Sequence, residues 1–128
     1  MARPSRLSEE TIRDYLSRRI WQDVTLSDHW DRNASLNPHG IAVTDGGKAV
    51  TWAEAKVWTD RVALALISLG FRRDGVLVVQ LPSCPELPLS RVACEKAGVL
   101  CLPVPHTLRQ NEMGYCLRHT EAEGVLIP

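Results

Sequence analysis

Apolar positions along the chain follow two rhythms, one recurring every three to four residues and one nearly unbroken over four. Ile12, Tyr15, Leu16 and Ile20 form a first helical stripe, opened by Ser8-Glu9-Glu10 and closed by Arg18 and Arg19, charges matched to a helix dipole. A second helix is expected from near Thr25, where Asp28 completes an N-terminal cap. Leu26, Trp30 and Ala34 make its inner face, and Asn37-Pro38 stops it. Ile41-Ala42-Val43 and Ala49-Val50, set apart by Asp45-Gly46-Gly47, predict a β-hairpin. Thr51 and Glu54 then have the spacing of a capping box. The helix they open carries Ala55, Trp58, Val62, Ala63, Leu66 and Leu69 inward and ends at Gly70.

Val76-Leu77-Val78-Val79 breaks this rhythm. It shows no polar alternation, as expected of a parallel strand covered on both faces. Pro85-Glu86 begins the next helix (Leu87, Val92, Ala93, Ala97), which Gly98 closes. A second strand follows at Val99–Leu102 and ends at Pro103 and Pro105. A helix from near Gln110 to Glu121 precedes a last apolar run, Gly124–Ile127. Strands alternating with helices at this spacing predict parallel pairing with right-handed crossovers. The expected fold class is α/β: a truncated parallel sheet of at least three strands near 76–80, 99–102 and 124–127, flanked by helices. An N-terminal helical segment over residues 1–24 and a β-hairpin complete it.

Composition narrows the function. The 128 residues are 45% apolar and 23% charged, the balance of a globular chain. Fifteen Lys and Arg meet fifteen Asp and Glu, so the basic surplus of a nucleic-acid-binding protein is missing. Arg18-Arg19 and Arg72-Arg73 are too short to make a phosphate-binding stripe. No apolar run is long enough to span a bilayer. The basic start Met1–Arg6 is followed by Ser8-Glu9-Glu10, where a signal peptide needs an apolar core. Cys84, Cys94, Cys101 and Cys116 contain no Cys-x-x-Cys pair, and the last three lie among apolar neighbours. They read as packed free thiols in a reducing, cytoplasmic setting.

Chemistry is sparse. The loop after the first parallel strand, Leu81-Pro82-Ser83-Cys84-Pro85, has no glycine to bring backbone close to a pyrophosphate. No phosphate-binding Gly-x-x-x-x-Gly-Lys-Ser/Thr occurs, and no Gly-x-Ser-x-Gly nucleophile elbow. His29, His39, His106 and His119 are scattered without the i, i+4 pairing of a metal site, so neither a metal nor a catalytic residue is assigned. His29 and His119, among charged residues on helices, are expected in solvent. Lys56 and Lys96 are expected to solvate helix surfaces. His106 lies after a strand's carboxyl end, where open α/β sheets place ligands, although a plain loop histidine also fits that position. Residues alone leave a stand-alone interaction or small-ligand-binding module open.

Several short motifs in order carry a resemblance. They are Asn37-Pro38 before Ile41-Ala42-Val43, Thr51-Trp52-Ala53-Glu54, Leu66 through Gly70, and Val78-Val79-Gln80-Leu81-Pro82. Lys96-Ala97-Gly98-Val99 and the loop Pro103-Val104-Pro105 to Glu112 complete the series. From Leu26 to Pro128 the chain resembles the amino-terminal end of the adenylate-forming acyl-CoA synthetases. Trp21 ahead of Thr25-Leu26, and Arg109-Gln110-Asn111-Glu112, are most similar to ligases of aryl and alicyclic acids, such as 2,3-dihydroxybenzoate–AMP and cyclohexanecarboxylate–CoA ligases. The usual Gly-Asp before the first parallel strand is reversed here to Asp74-Gly75.

The resemblance implies that residues 25–128 are the first part of a large adenylating domain, with ATP, Mg and CoA serving the parent enzyme and none of them the isolated chain. A carboxylic acid is the implied substrate, with no nucleic-acid or membrane partner, and self-association of the fragment is expected. It also implies that His106 and Arg109 are CoA-side contacts; the competing role for Arg109 is an ion pair with Glu112 on the following helix.

Overall fold

The computed structural model describes residues 7–128, so the basic start Met1–Arg6 lies outside it. The chain order is α1 (Glu9–Ser17), α2 (Leu26–Leu36), β1 (Ile41–Thr44), β2 (Ala49–Thr51), α3 (Trp52–Ser68), β3 (Val76–Val79), α4 (Glu86–Ala97), β4 (Leu100–Pro103), α5 (Gln110–Thr120) and β5 (Gly124–Leu126).

The helix starts follow their caps. The Thr25 hydroxyl accepts the Asp28 N–H at 3.2 Å, and the Asp28 carboxylate takes the Thr25 N–H at 2.7 Å. Thr51 and Glu54 repeat the exchange at 3.3 and 2.9 Å. The Thr25 and Thr51 backbone N–H groups are the first cause holding the Asp28 and Glu54 carboxyls below their ordinary range. Between β1 and β2, Asp45 Oδ1 accepts from the Gly47 and Lys48 amides at 3.1 and 2.8 Å, closing the expected hairpin.

The sheet order is β4-β3-β5, all parallel, with Val78 opposite both Leu102 and Val125. β3 is therefore central. Leu77 and Val79 pack with Leu66, Cys94 and Val99 beneath α3 and α4, while Val78, offset by one residue, faces the opposite side of the sheet. α5 packs on β3 without touching α4. Val78 and Val79 are wholly buried and Leu77 nearly so, as an uninterrupted apolar strand demands. Each such side chain contributes about 1.5–3 kcal/mol through burial.

β4 starts at Leu100 and not at Val99. Gly98, at φ 72°, closes α4 in the left-handed region, and the Val99 N–H returns to the Cys94 carbonyl at 2.8 Å. Val99 thus belongs to the helix exit, and β5 stops one residue short of Ile127.

Just before β3, a Cβ on Gly75 would lie 2.6 Å from the Glu123 carboxylate, which can swing away, and 2.9 Å from the Arg72 carbonyl oxygen, which is fixed backbone, so glycine is favoured there. The residue left to turn the chain is Asp74, at φ 62°. α1 stands apart: it buries no residue and packs on no other described helix or strand. Its cohesion is local, with Tyr15 and Trp21 edge to face at 5.0 Å. No described helix is long and apolar enough to cross a membrane.

Candidate functional site

All three parallel strands present their carboxyl ends at one end of the sheet, and the β4–α5 loop is drawn in there. The Val104 N–H donates to the Val79 carbonyl at 2.9 Å, continuing the ladder past β4, and Leu108 N–H closes a turn onto Pro105 O at 3.1 Å. Gln80, the first residue beyond β3, anchors the loop. Its backbone N–H donates to Leu126 O at 2.9 Å. Its Nε2 lies 2.9 Å from Leu108 O and 3.4 Å from the carbonyls of Pro105 and His106.

This arrangement leaves the His106 and Arg109 side chains exposed on the outer surface of the loop. Arg109 caps α5 through its backbone: its N–H donates to Glu112 Oε2 at 3.1 Å. Among the described residues no ion pair joins the guanidinium to Glu112, so the expected alternative pairing is made by the main chain instead. Two exposed donor side chains beside a helix start can meet an anion by charge-assisted hydrogen bonds.

The β3–α4 loop at the same end is built otherwise. Buried Pro85 caps α4 without a side-chain bond, and Glu86 fills the first turn. Lys48 from the hairpin meets Glu86 at 2.5 Å. That bond lowers the Glu86 carboxyl and raises the Lys48 ammonium relative to their usual values. A carboxylate already occupies the end of the helix dipole that would attract a phosphate. These residues do not fit ATP and Mg, and the described residues contain no cluster of three or more His, Cys, Asp or Glu able to hold a metal ion.

One group of residues was missed in the sequence. Lys96 Nζ lies 2.5 Å from Asp31 Oδ1 and 2.6 Å from Asp60 Oδ1, while Lys56 Nζ reaches the other oxygens of the same two carboxylates at 3.2 and 2.8 Å. Four alternating charges bind α2, α3 and α4 together. Burial pushes the Asp60 carboxyl up, but the hydrogen bonds from Lys56 and Lys96 outweigh it and leave the group below its usual value. The Lys96 side chain is only 11% exposed, against 40% for Lys56. Lys96 is thus no surface lysine, and the expectation fails because its partners come from two other helices.

The four cysteines are free, but only Cys94 is fully buried. A hydrogen bond with Cys101, together with burial, pushes its thiol up. His29 and His119 are exposed, the latter stacked on Tyr115 at 5.2 Å.

Comparison with known proteins adds the family. The family described as AMP-binding enzyme matches residues 30–128. A 2-hydroxy-7-methoxy-5-methyl-1-naphthoate–CoA ligase of Streptomyces carzinostaticus is 27% identical over 84% of this chain and 19% of its own length. The medium-chain fatty-acid–CoA ligase of Escherichia coli is 25% identical over 94% of the chain and 22% of its own. The apo structure of Mycobacterium smegmatis MbtA superposes with a TM-score of 0.81 at 26% identity, covering 93% of this chain and 23% of that one. The chain thus spans about a fifth of the length of the relatives it matches. With the α/β unit and its loop-bearing sheet end in place, the chain belongs to the AMP-binding enzyme family.

Proposed function

We propose that this chain is the amino-terminal part of an ATP-dependent acid–thiol ligase. The parent enzyme joins a carboxylic acid to AMP with release of pyrophosphate, then passes the acyl group to a thiol and releases AMP. The observation that carries this reading is the family match across residues 30–128, lying on a sheet whose carboxyl end holds the loop of His106 and Arg109. The relatives' names, a naphthoate–CoA ligase and a fatty-acid–CoA ligase, support an acid as substrate and CoA as acceptor. ATP and Mg are assigned to residues of the parent enzyme beyond these 128, because the described residues offer no cradle for the phosphates. Four free thiols support a cytoplasmic setting.

In this reading Arg109 and His106 stand on the thiol side. The Arg109 guanidinium holds a phosphate of the CoA nucleotide, and His106 flanks it. The isolated chain neither binds ATP tightly nor activates an acid. Acid-dependent exchange of labelled pyrophosphate into ATP tests the assignment: the longer polypeptide carrying this chain exchanges, and the 128 residues alone do not. In that polypeptide Arg109→Ala raises the KM for CoA, with pyrophosphate exchange, which needs no CoA, as the reference reaction. An unchanged KM removes Arg109 from the site; absent exchange removes the ligase reading.

A further inference from the structure

Gln80 is half-buried at the end of the central strand, and three facts about its surroundings belong together. Its backbone is tied to β5 through Leu126 O. Its side-chain nitrogen faces three carbonyl oxygens of the β4–α5 loop, at 2.9 Å for Leu108 and 3.4 Å for Pro105 and His106. Within that stretch Pro103 and Pro105 have no N–H, the Val104 N–H goes to Val79 O and the Leu108 N–H goes to Pro105 O, so among the described residues no backbone N–H reaches the carbonyls of His106 and Leu108.

From this geometry we infer that Gln80 is a positioning residue for the loop that carries His106 and Arg109; its bearing on the thiol acceptor rests on the function proposed above. A carboxamide nitrogen has two hydrogens. One goes to Leu108 O, and the other is shared between Pro105 O and His106 O. With the carbonyls turned inward onto Gln80, the side chains of His106 and Arg109 are carried outward into solvent. A second clamp, the Arg109 N–H on Glu112, fixes the far end. Held at both ends, the loop meets its ligand with less conformational freedom left to lose.

The side-chain chemistry demanded here is narrow. Glutamate has the same shape but at neutral pH only accepts, and would set a carboxylate against three carbonyl oxygens. Asparagine is one methylene shorter. Leucine fills the volume and donates nothing. The position therefore asks for a donor of glutamine's reach, a requirement on hydrogen-bonding sense and not on packing.

The test begins with the unaltered chain, isotopically labelled. A through-hydrogen-bond scalar coupling between the Gln80 side-chain 15N and the Leu108 carbonyl 13C is expected, and its absence overturns the inference without any variant having to fold. In Gln80→Leu the carbonyl resonances of Pro105, His106 and Leu108 should shift together. The Leu108 amide should exchange about fivefold faster while the β3 amides keep their protection. Gln80→Glu should displace the same resonances further. Unmoved carbonyls, or a loss of protection spread evenly through β3, defeat the positioning role. In the longer polypeptide, Gln80→Leu should raise the KM for CoA by a larger factor than it lowers kcat. If the NMR signature holds while neither Gln80→Leu nor Arg109→Ala alters the KM for CoA, the thiol assignment of the loop falls and its anchoring by Gln80 stands.

Discussion

Replacing Lys96 by methionine asks what the ring of charges between α2, α3 and α4 is worth. The substitution keeps the length of the side chain and removes two hydrogen-bonded ion contacts, at 2.5 and 2.6 Å. Hydrogen bonds to charged groups contribute about 1.5–3 kcal/mol each. Asp31 and Asp60 are 41% exposed and keep Lys56, so water and the second lysine recover part of the loss. The net cost should be about 2–3 kcal/mol, which lowers the melting temperature of a chain this size by about 6–12 °C. Lys56→Met is the control: Lys56 touches the same carboxylates from an exposed position, and its loss should cost less than about 1 kcal/mol. Urea unfolding followed by circular dichroism gives both numbers, provided the m-values agree. If the two variants prove equally stable, burial of Lys96 is not what gives the ring its strength, and the argument fails.

Val78→Asp sets an unpaired carboxylate in the wholly buried centre of β3, so it should cost more than about 4 kcal/mol and abolish the cooperative melt; a soluble protein that still melts cooperatively refutes the strand's placement. Asp74→Gly relieves a non-glycine residue at φ 62° and should raise stability by about 0.5–1 kcal/mol, read as a higher urea midpoint. On the acid side, Asp60, Glu86 and Glu123 are all lowered in the folded chain from ordinary values of 3.8, 4.5 and 4.5. Their stabilisation is complete above those values and drains away as pH falls through the folded ones, whereas the raised Lys48 and Lys56 contribute fully below 10.5 and lose their share above it. Thermal melts across both limbs should therefore fall at each extreme. Leu100 and Val125, 53% and 44% exposed on the two edge strands, should drive the isolated chain to self-associate with rising concentration; a clean monomer in sedimentation speaks against it.

What the sequence disclosed and what it withheld divide by distance along the chain. The caps at Thr25 and Thr51 span three residues, and their partners could be read directly. Val76–Val79 announced a strand covered on both faces because no polar residue interrupts it. That β3 is central was not legible, because strand order depends on which way each crossover steps. Val99 looked like strand because it is apolar and follows a glycine, yet its N–H completes the exit of α4. Lys96 and Asp60 lie 36 positions apart, and Gln80 and Leu108 lie 28 apart. No local pattern signals such pairs. The one hint at Gln80 was a polar residue set directly after an unbroken apolar run. His106 was singled out by the rule that α/β sheets bind ligands at their carboxyl ends, and Arg109 by the resemblance alone; what holds their loop came only with the folded chain.

α1 carries a consequence of a different kind. A nine-residue helix that packs on no other described helix or strand approaches the statistics of a short peptide, for which nucleation is costly and propagation brief. Its helical content is then a fractional population governed by capping at Ser8 and by the Tyr15–Trp21 ring contact, and it varies gradually with temperature. The sheet and the four helices α2 to α5 lose structure in a single step. One polypeptide thus holds two thermometers, and Trp21 fluorescence should trace a sloping baseline beneath the sigmoid of the remainder.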